Sequence, residues 1–140
     1  MLPLLSTLSP DAAVLILTAG LALIALELNR PGSILPGGCG VLLALLAAAS
    51  LAQHHPRPEA ATEAIFCVAL LLLQLRRRLS LVVVTCATIA FVFAVSNLIP
   101  PINGRAVSAW AAVLSGIVIA AGTTVLTRIA RRARQNKGLD

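Results

Sequence analysis

The sequence predicts an all-α membrane protein, a polytopic bundle of five transmembrane helices within a single domain covering residues 1–140. Of the 140 residues, 59% are hydrophobic and 11% are charged, whereas soluble domains usually carry about a quarter charged residues. The hydrophobic residues form continuous runs of the length that spans a bilayer. No run alternates polar and apolar residues, which excludes a transmembrane barrel.

Pro, Gly and charged residues separate the hydrophobic runs and mark the ends of the predicted helices. Asp11 is placed to cap the first helix. The five helices cover about 12–28, 40–53, 59–75, 79–99 and 106–127, and a basic tail follows at 128–140. The second helix has an alternative start at Ile34. Small residues recur at every fourth position in the second helix (Ala44, Ala48, Ala52) and in the fifth (Ala112, Gly116, Ala120, Thr124). Such stripes let helices approach closely in lipid, so we expect these two helices to make close contacts.

Basic residues flank the hydrophobic runs and predict the topology. The clusters expected to face anionic lipid headgroups are Arg76, Arg77, Arg78, Arg128, Arg131, Arg132, Arg134 and Lys137. With the N-terminus outside and the C-terminus in the cytoplasm, nine of the eleven Lys and Arg residues are cytoplasmic, as the positive-inside rule requires. The net charge of +6 does not indicate nucleic-acid binding, because aromatic residues for base stacking are scarce.

The segment between the first two helices carries the most distinctive motif of the chain. Its residues are Glu27, Arg30, Pro31, Gly32, Pro36, Gly37 and Gly40. Proline ends helices and glycine permits positive φ, so the segment predicts a tight hairpin turn. Glu27 lies near the end of the first helix, where we expect it to pair with Arg30 at the membrane interface. The alternative is a proton or cation site, because carboxylates at membrane depth are often functional.

This motif, Glu27-x-x-x-Pro31-Gly32-x-Ile34-x-Pro36-Gly37-x-x-Gly40, resembles the first membrane hairpin of NfeD-like proteins. The basic segment from Leu126 to Lys137 resembles the link from that family's last membrane helix to its soluble domain. The resemblance implies a bacterial inner-membrane protein that works with a stomatin- or flotillin-type scaffold or associates with itself. We expect the membrane domain alone, without the N-terminal serine-protease domain and the C-terminal OB-type barrel of longer members.

The sequence offers no set of residues for catalysis. Nucleophilic catalysis needs a base beside a Ser or Cys, and the one lysine, Lys137, lies in the tail. His54 and His55 have no partners at metal-ligand spacing, so no metal or cofactor is expected. We therefore predict a non-catalytic structural or assembly partner of other membrane proteins, with membrane lipids around it. The alternative is a small proton-coupled transporter that uses Glu27.

Overall fold

The computed structural model describes residues 8–29, 35–74, 80–101 and 106–135. Over these residues the chain forms five α-helices and no strand, which confirms the predicted all-α bundle. The helices are α1 (Pro10–Asn29), α2 (Leu35–Ala52), α3 (Pro58–Leu73), α4 (Leu81–Ser96) and α5 (Ala109–Gln135). Three of them are long and apolar enough to cross a membrane, namely α1, α2 and the Ala109–Ile129 part of α5.

The other two helices are shorter than predicted. Helices α3 and α4 have 16 residues each, or about 24 Å at 1.5 Å per residue, against a hydrocarbon core of about 30 Å. Helix α4 is apolar and has no charged residue, whereas α3 carries Glu59 and Glu63 in its first two turns. That α3 and α4 also cross the membrane therefore stays a prediction.

The structure also defines the start of α2 and the end of α5. Helix α2 begins at Leu35, next to Ile34 and five residues before Gly40, the other predicted start. Pro36 therefore falls in the first turn, where a backbone N–H has no intrahelical partner anyway. Helix α5 continues to Gln135, well past the predicted end at residue 127. Its last turns consist mainly of Arg and Ala, which are strong helix formers. Most of the predicted basic tail is thus a continuation of α5.

Local interactions keep the polar residues compatible with apolar helices. The hydroxyls of Thr18, Thr88, Ser115 and Thr127 each donate to the carbonyl oxygen four residues earlier. These hydroxyls therefore need no partner from another helix. Ser80 begins α4 by accepting the N–H of Val83 at 3.3 Å, the usual role of an N-cap serine.

The helices pack in the spatial order α2, α1, α5, α4, α3. Helix α1 contacts both α2 and α5, α4 contacts both α5 and α3, and α3 meets α5 only slightly. Helix α2 lies at one edge, where it packs chiefly on α1. The core contains Leu71 and Phe91 together with many small residues such as Ala13, Ala111 and Ala112.

Large apolar side chains are exposed on the outside of every helix. Leu42, Phe66 and Phe93 are each more than 60% exposed, and Trp110 is 59% exposed. Water-soluble monomers rarely expose apolar surface on this scale. The outer surface is therefore suited to lipid.

Candidate functional site: the α1–α2 hairpin

Helices α1 and α2 cross where two glycines face each other. A Cβ atom added to Gly20 would lie 2.7 Å from the carbonyl oxygen of Gly40, and one added to Gly40 would lie 2.7 Å from the carbonyl oxygen of Gly20. Both glycines are buried. The two backbones are thus in direct contact, an approach that only glycine permits at both positions.

The carboxylate of Glu27 lies against the first turn of α2. A Cβ atom on Gly37 would overlap the Oε2 atom of Glu27, so Gly37 provides the space that the carboxylate occupies. Gly37 is buried and Glu27 is half-buried. The first turn of a helix carries unpaired N–H groups and a partial positive charge. A carboxylate at this position stabilises the beginning of α2.

The structure therefore brings together four residues of the hairpin motif. Glu27 lies in the last turn of α1, and Pro36, Gly37 and Gly40 lie in the first two turns of α2. The other motif residues, Arg30, Pro31 and Gly32, lie outside the described residues. The predicted pairing of Glu27 with Arg30 therefore stays a prediction.

Two polar contacts join α1 to α5 at opposite ends. The Asp11 carboxylate accepts the backbone N–H and the hydroxyl of Ser108, each at 2.7 Å. At the other end, Asn29 donates from Nδ2 to the carbonyl oxygen of Leu126 at 2.8 Å. Because the beginning of α1 contacts the beginning of α5 and the end of α1 contacts a later turn of α5, the two helices run parallel.

Asp11 does not have the role that the sequence suggests. Ser9 caps α1 by accepting the N–H of Ala12 at 3.2 Å, whereas Asp11 binds Ser108, which directly precedes α5. Asp11 thus orders the beginning of α5 rather than of its own helix. Its partner is 97 residues away in sequence, so no local pattern could have identified it.

The basic residues and the histidines are placed as follows. Arg128 and Arg132 are exposed and lie one helical turn apart on α5, which also contains Arg131 and Arg134. Arg76, Arg77, Arg78 and Lys137 lie outside the described residues. The Nδ1 atom of His54 lies 2.9 Å from the carbonyl oxygen of Ser50. The described part of the chain holds no group of three or more His, Cys, Asp or Glu residues placed to bind a metal.

Long apolar helices, a lipid-compatible surface and a glycine-mediated helix crossing define an integral membrane protein. Residues 11–129 match the family model of the NfeD integral membrane domain. The chain belongs to this family, as the hairpin motif indicated. Neither a curated protein nor a solved structure matched the chain.

Proposed function

We propose that this chain is a non-catalytic structural module of the bacterial inner membrane that assembles with other membrane proteins. The observation that best supports this proposal is the position of α2 at the edge of the bundle. One face of α2, with Gly37, Gly40 and Ala47, is buried. The opposite face exposes Leu42, Leu45 and other apolar side chains.

The hairpin contacts support this proposal. Backbone contact at Gly20 and Gly40 and the carboxylate of Glu27 at Gly37 fix α2 on α1. A helix that is held rigidly by one face presents its other face without loss of conformational freedom on binding. The partner that the family suggests is a stomatin- or flotillin-type scaffold.

Site-specific photo-crosslinking in intact membranes tests this role. A photoreactive residue at Ala48, which is exposed on α2, is compared with one at Ala69, which is exposed on α3. We expect a discrete adduct with a scaffold protein from position 48 and none from position 69. Equal labelling from both positions, or lipid adducts alone, would contradict the role in assembly.

The proposed orientation has the N-terminus outside and the C-terminus in the cytoplasm. It follows from the flanking basic residues, of which Arg128 and Arg132 are exposed on the last described turns of α5. A green fluorescent protein fused after Asp140 should fluoresce, and alkaline phosphatase fused at the same place should be inactive. The reverse pattern would contradict the proposed orientation and place the C-terminus outside.

A second candidate function is proton-coupled transport through Glu27. The observation in its favour is a half-buried carboxylate at the end of a membrane-crossing helix. If Glu27 is an exchange site, Glu27→Gln abolishes proton uptake in vesicles. If Glu27 only orders the hairpin, proton uptake in vesicles is the same for the variant and the wild type, because glutamine retains the shape of the side chain and a carbonyl oxygen that can accept a hydrogen bond.

A further inference from the structure

A crevice lies between α1, α3 and α4, and none of its lining residues belongs to α2. Its volume is about 230 Å³. Over the described residues α1 and α3 make no extended contact with each other, and the crevice fills the gap between them. Thr18 and Phe91, both about 5% exposed or less, form its floor, whereas Ile65 at its edge is 70% exposed. The crevice therefore opens sideways to the surroundings of the bundle.

The lining of the crevice excludes water as its occupant. Of its lining residues only Thr18 has a polar side chain, and that hydroxyl already donates to the carbonyl oxygen of Val14 at 2.8 Å. A buried water needs two to four polar partners. For comparison, an apolar cavity of about 150 Å³ in another protein stays dry and binds benzene. This crevice is larger and takes an apolar group.

The direction of the crevice matches a lipid chain. It begins beside Val14 and Leu98 and ends beside Leu21 and Val68. The seven residue steps from Val14 to Leu21 correspond to about 10 Å at 1.5 Å per residue. One leaflet accounts for about half of a hydrocarbon core of about 30 Å. The crevice therefore runs along the helices through much of one leaflet.

Charged residues lie at the end where a headgroup would be. The backbone N–H of Arg57 donates to the carbonyl oxygen of Leu98 at 2.8 Å, which places Arg57 beside the beginning of the crevice. Arg57 is exposed, and so are Glu59 and Glu63 in the first two turns of α3. A headgroup that carries both a phosphate and an ammonium group complements this mixture of charges.

We propose that the crevice is a binding site for a phospholipid with a zwitterionic ammonium–phosphate headgroup. One acyl chain lies between α1 and α3, and the phosphate is bound by Arg57. The bound chain fills the space between these two helices, which make no extended contact with each other over the described residues. This site is independent of the assembly role, because none of its lining residues belongs to α2.

The test is native mass spectrometry of the full chain in detergent with added phosphatidylethanolamine. Ala64→Phe fills the crevice, and Ala69→Phe places the same group on the exposed outer side of the same helix. We expect Ala64→Phe to weaken lipid binding about tenfold, equivalent to about 1.4 kcal/mol, and Ala69→Phe to leave it unchanged. Equal binding by both variants would overturn the proposal. Loss of a dimer with Ala64→Phe would assign the crevice to a second copy of the chain.

A second experiment tests the site without filling it. Phosphatidylethanolamine with a photoreactive acyl chain should label peptides that contain Leu17 or Ile65. Labelling spread evenly over all exposed helices would overturn the proposal. Arg57→Gln should weaken binding of phosphatidylethanolamine, whereas Arg132→Gln on α5 should not. Tighter binding of phosphatidylglycerol than of phosphatidylethanolamine would overturn the headgroup assignment.

Discussion

Replacing Gly40 by alanine should separate α1 from α2, whereas the same replacement at Gly38 should not. A Cβ atom on Gly40 would lie 2.7 Å from the carbonyl oxygen of Gly20 and 3.0 Å from the backbone N of Ile24. A Cβ atom on Gly38 would have nothing within 4 Å. Both glycines lie near the beginning of α2, so the two variants differ mainly in whether the new methyl group contacts α1.

The size of the destabilisation follows from the atoms that the new Cβ would contact. They belong to the backbone, which cannot move aside as a flexible side chain can. The helices must move apart until the 2.7 Å contact reaches about 3.4 Å, where ordinary van der Waals contact begins. A gap of about 0.5–1 Å forfeits a quarter to a half of the dispersion energy of an atom pair. Overpacking of this kind costs about 1–3 kcal/mol. Alanine favours a helix over glycine by about 1 kcal/mol at both positions, so the difference between the two variants isolates the steric cost.

The assay is reversible unfolding in mixed micelles or bicelles, followed by the fluorescence of Trp110. This residue is the single tryptophan of the chain and lies at the beginning of α5, so it reports on the bundle and not on the mutated hairpin. We expect Gly40→Ala to be about 1–3 kcal/mol less stable than Gly38→Ala. Equal stability of the two variants would refute the proposed backbone contact between α1 and α2.

Three further predictions concern the polar contacts. Gly37→Ala should destabilise the hairpin in the wild type but much less in a Glu27→Ala background, with a coupling energy of about 0.5–3 kcal/mol in a double-mutant cycle. Asp11→Ala should lower the free energy of unfolding by about 1.5–3 kcal/mol, because it removes charge-assisted hydrogen bonds to Ser108. Asn29→Leu should lower it by about 1 kcal/mol through loss of the bond to α5, as measured by the same unfolding assay.

Matched controls make these results specific. Glu59→Ala removes an exposed carboxylate from α3, and Gln53→Leu removes an exposed amide that follows α2. Both should change stability by less than about 0.5 kcal/mol, as is usual for surface positions. If Asp11→Ala or Asn29→Leu is no more harmful than its control, the parallel pairing of α1 with α5 is not held by these side chains. Additive effects of Gly37→Ala and Glu27→Ala would contradict their contact.

The sequence was sufficient to predict the helices because lipid leaves the backbone few options. Backbone groups without water must pair within the segment, so long apolar runs such as that of α1 become helices. The start of α2 was less predictable, since Pro36 is compatible both with a turn and with the first turn of a helix. The sequence alone could not identify the contact between Asp11 and Ser108, because residues far apart in the chain meet only once the helices have packed.

The small-residue stripe of α2 shows why spacing alone predicts a contact face imperfectly. Positions four apart advance by more than one turn of a 3.6-residue helix, so a strict four-residue stripe drifts around the surface. Ala44 is half-buried, but Ala48 and Ala52 are exposed. The buried face instead includes Gly40 and Ala47. The side of α2 that turns outward therefore combines small residues with large apolar ones, as a helix-binding surface requires.

Glu27 and Gly40 together distinguish a structural hairpin from an exchange site. In a transporter the acidic proton carries the function, so Glu27→Gln would abolish activity even though the fold is intact. In a structural hairpin the helix crossing carries the function, so Gly40→Ala would impair assembly while Glu27→Gln leaves it nearly unchanged. The backbone contact of Gly40 with Gly20 and the space that Gly37 leaves for Glu27 give every one of these motif residues a structural role. For the described residues Glu27, Gly37 and Gly40, close packing of α1 on α2 is therefore a sufficient role, and the two variants test whether Glu27 has another.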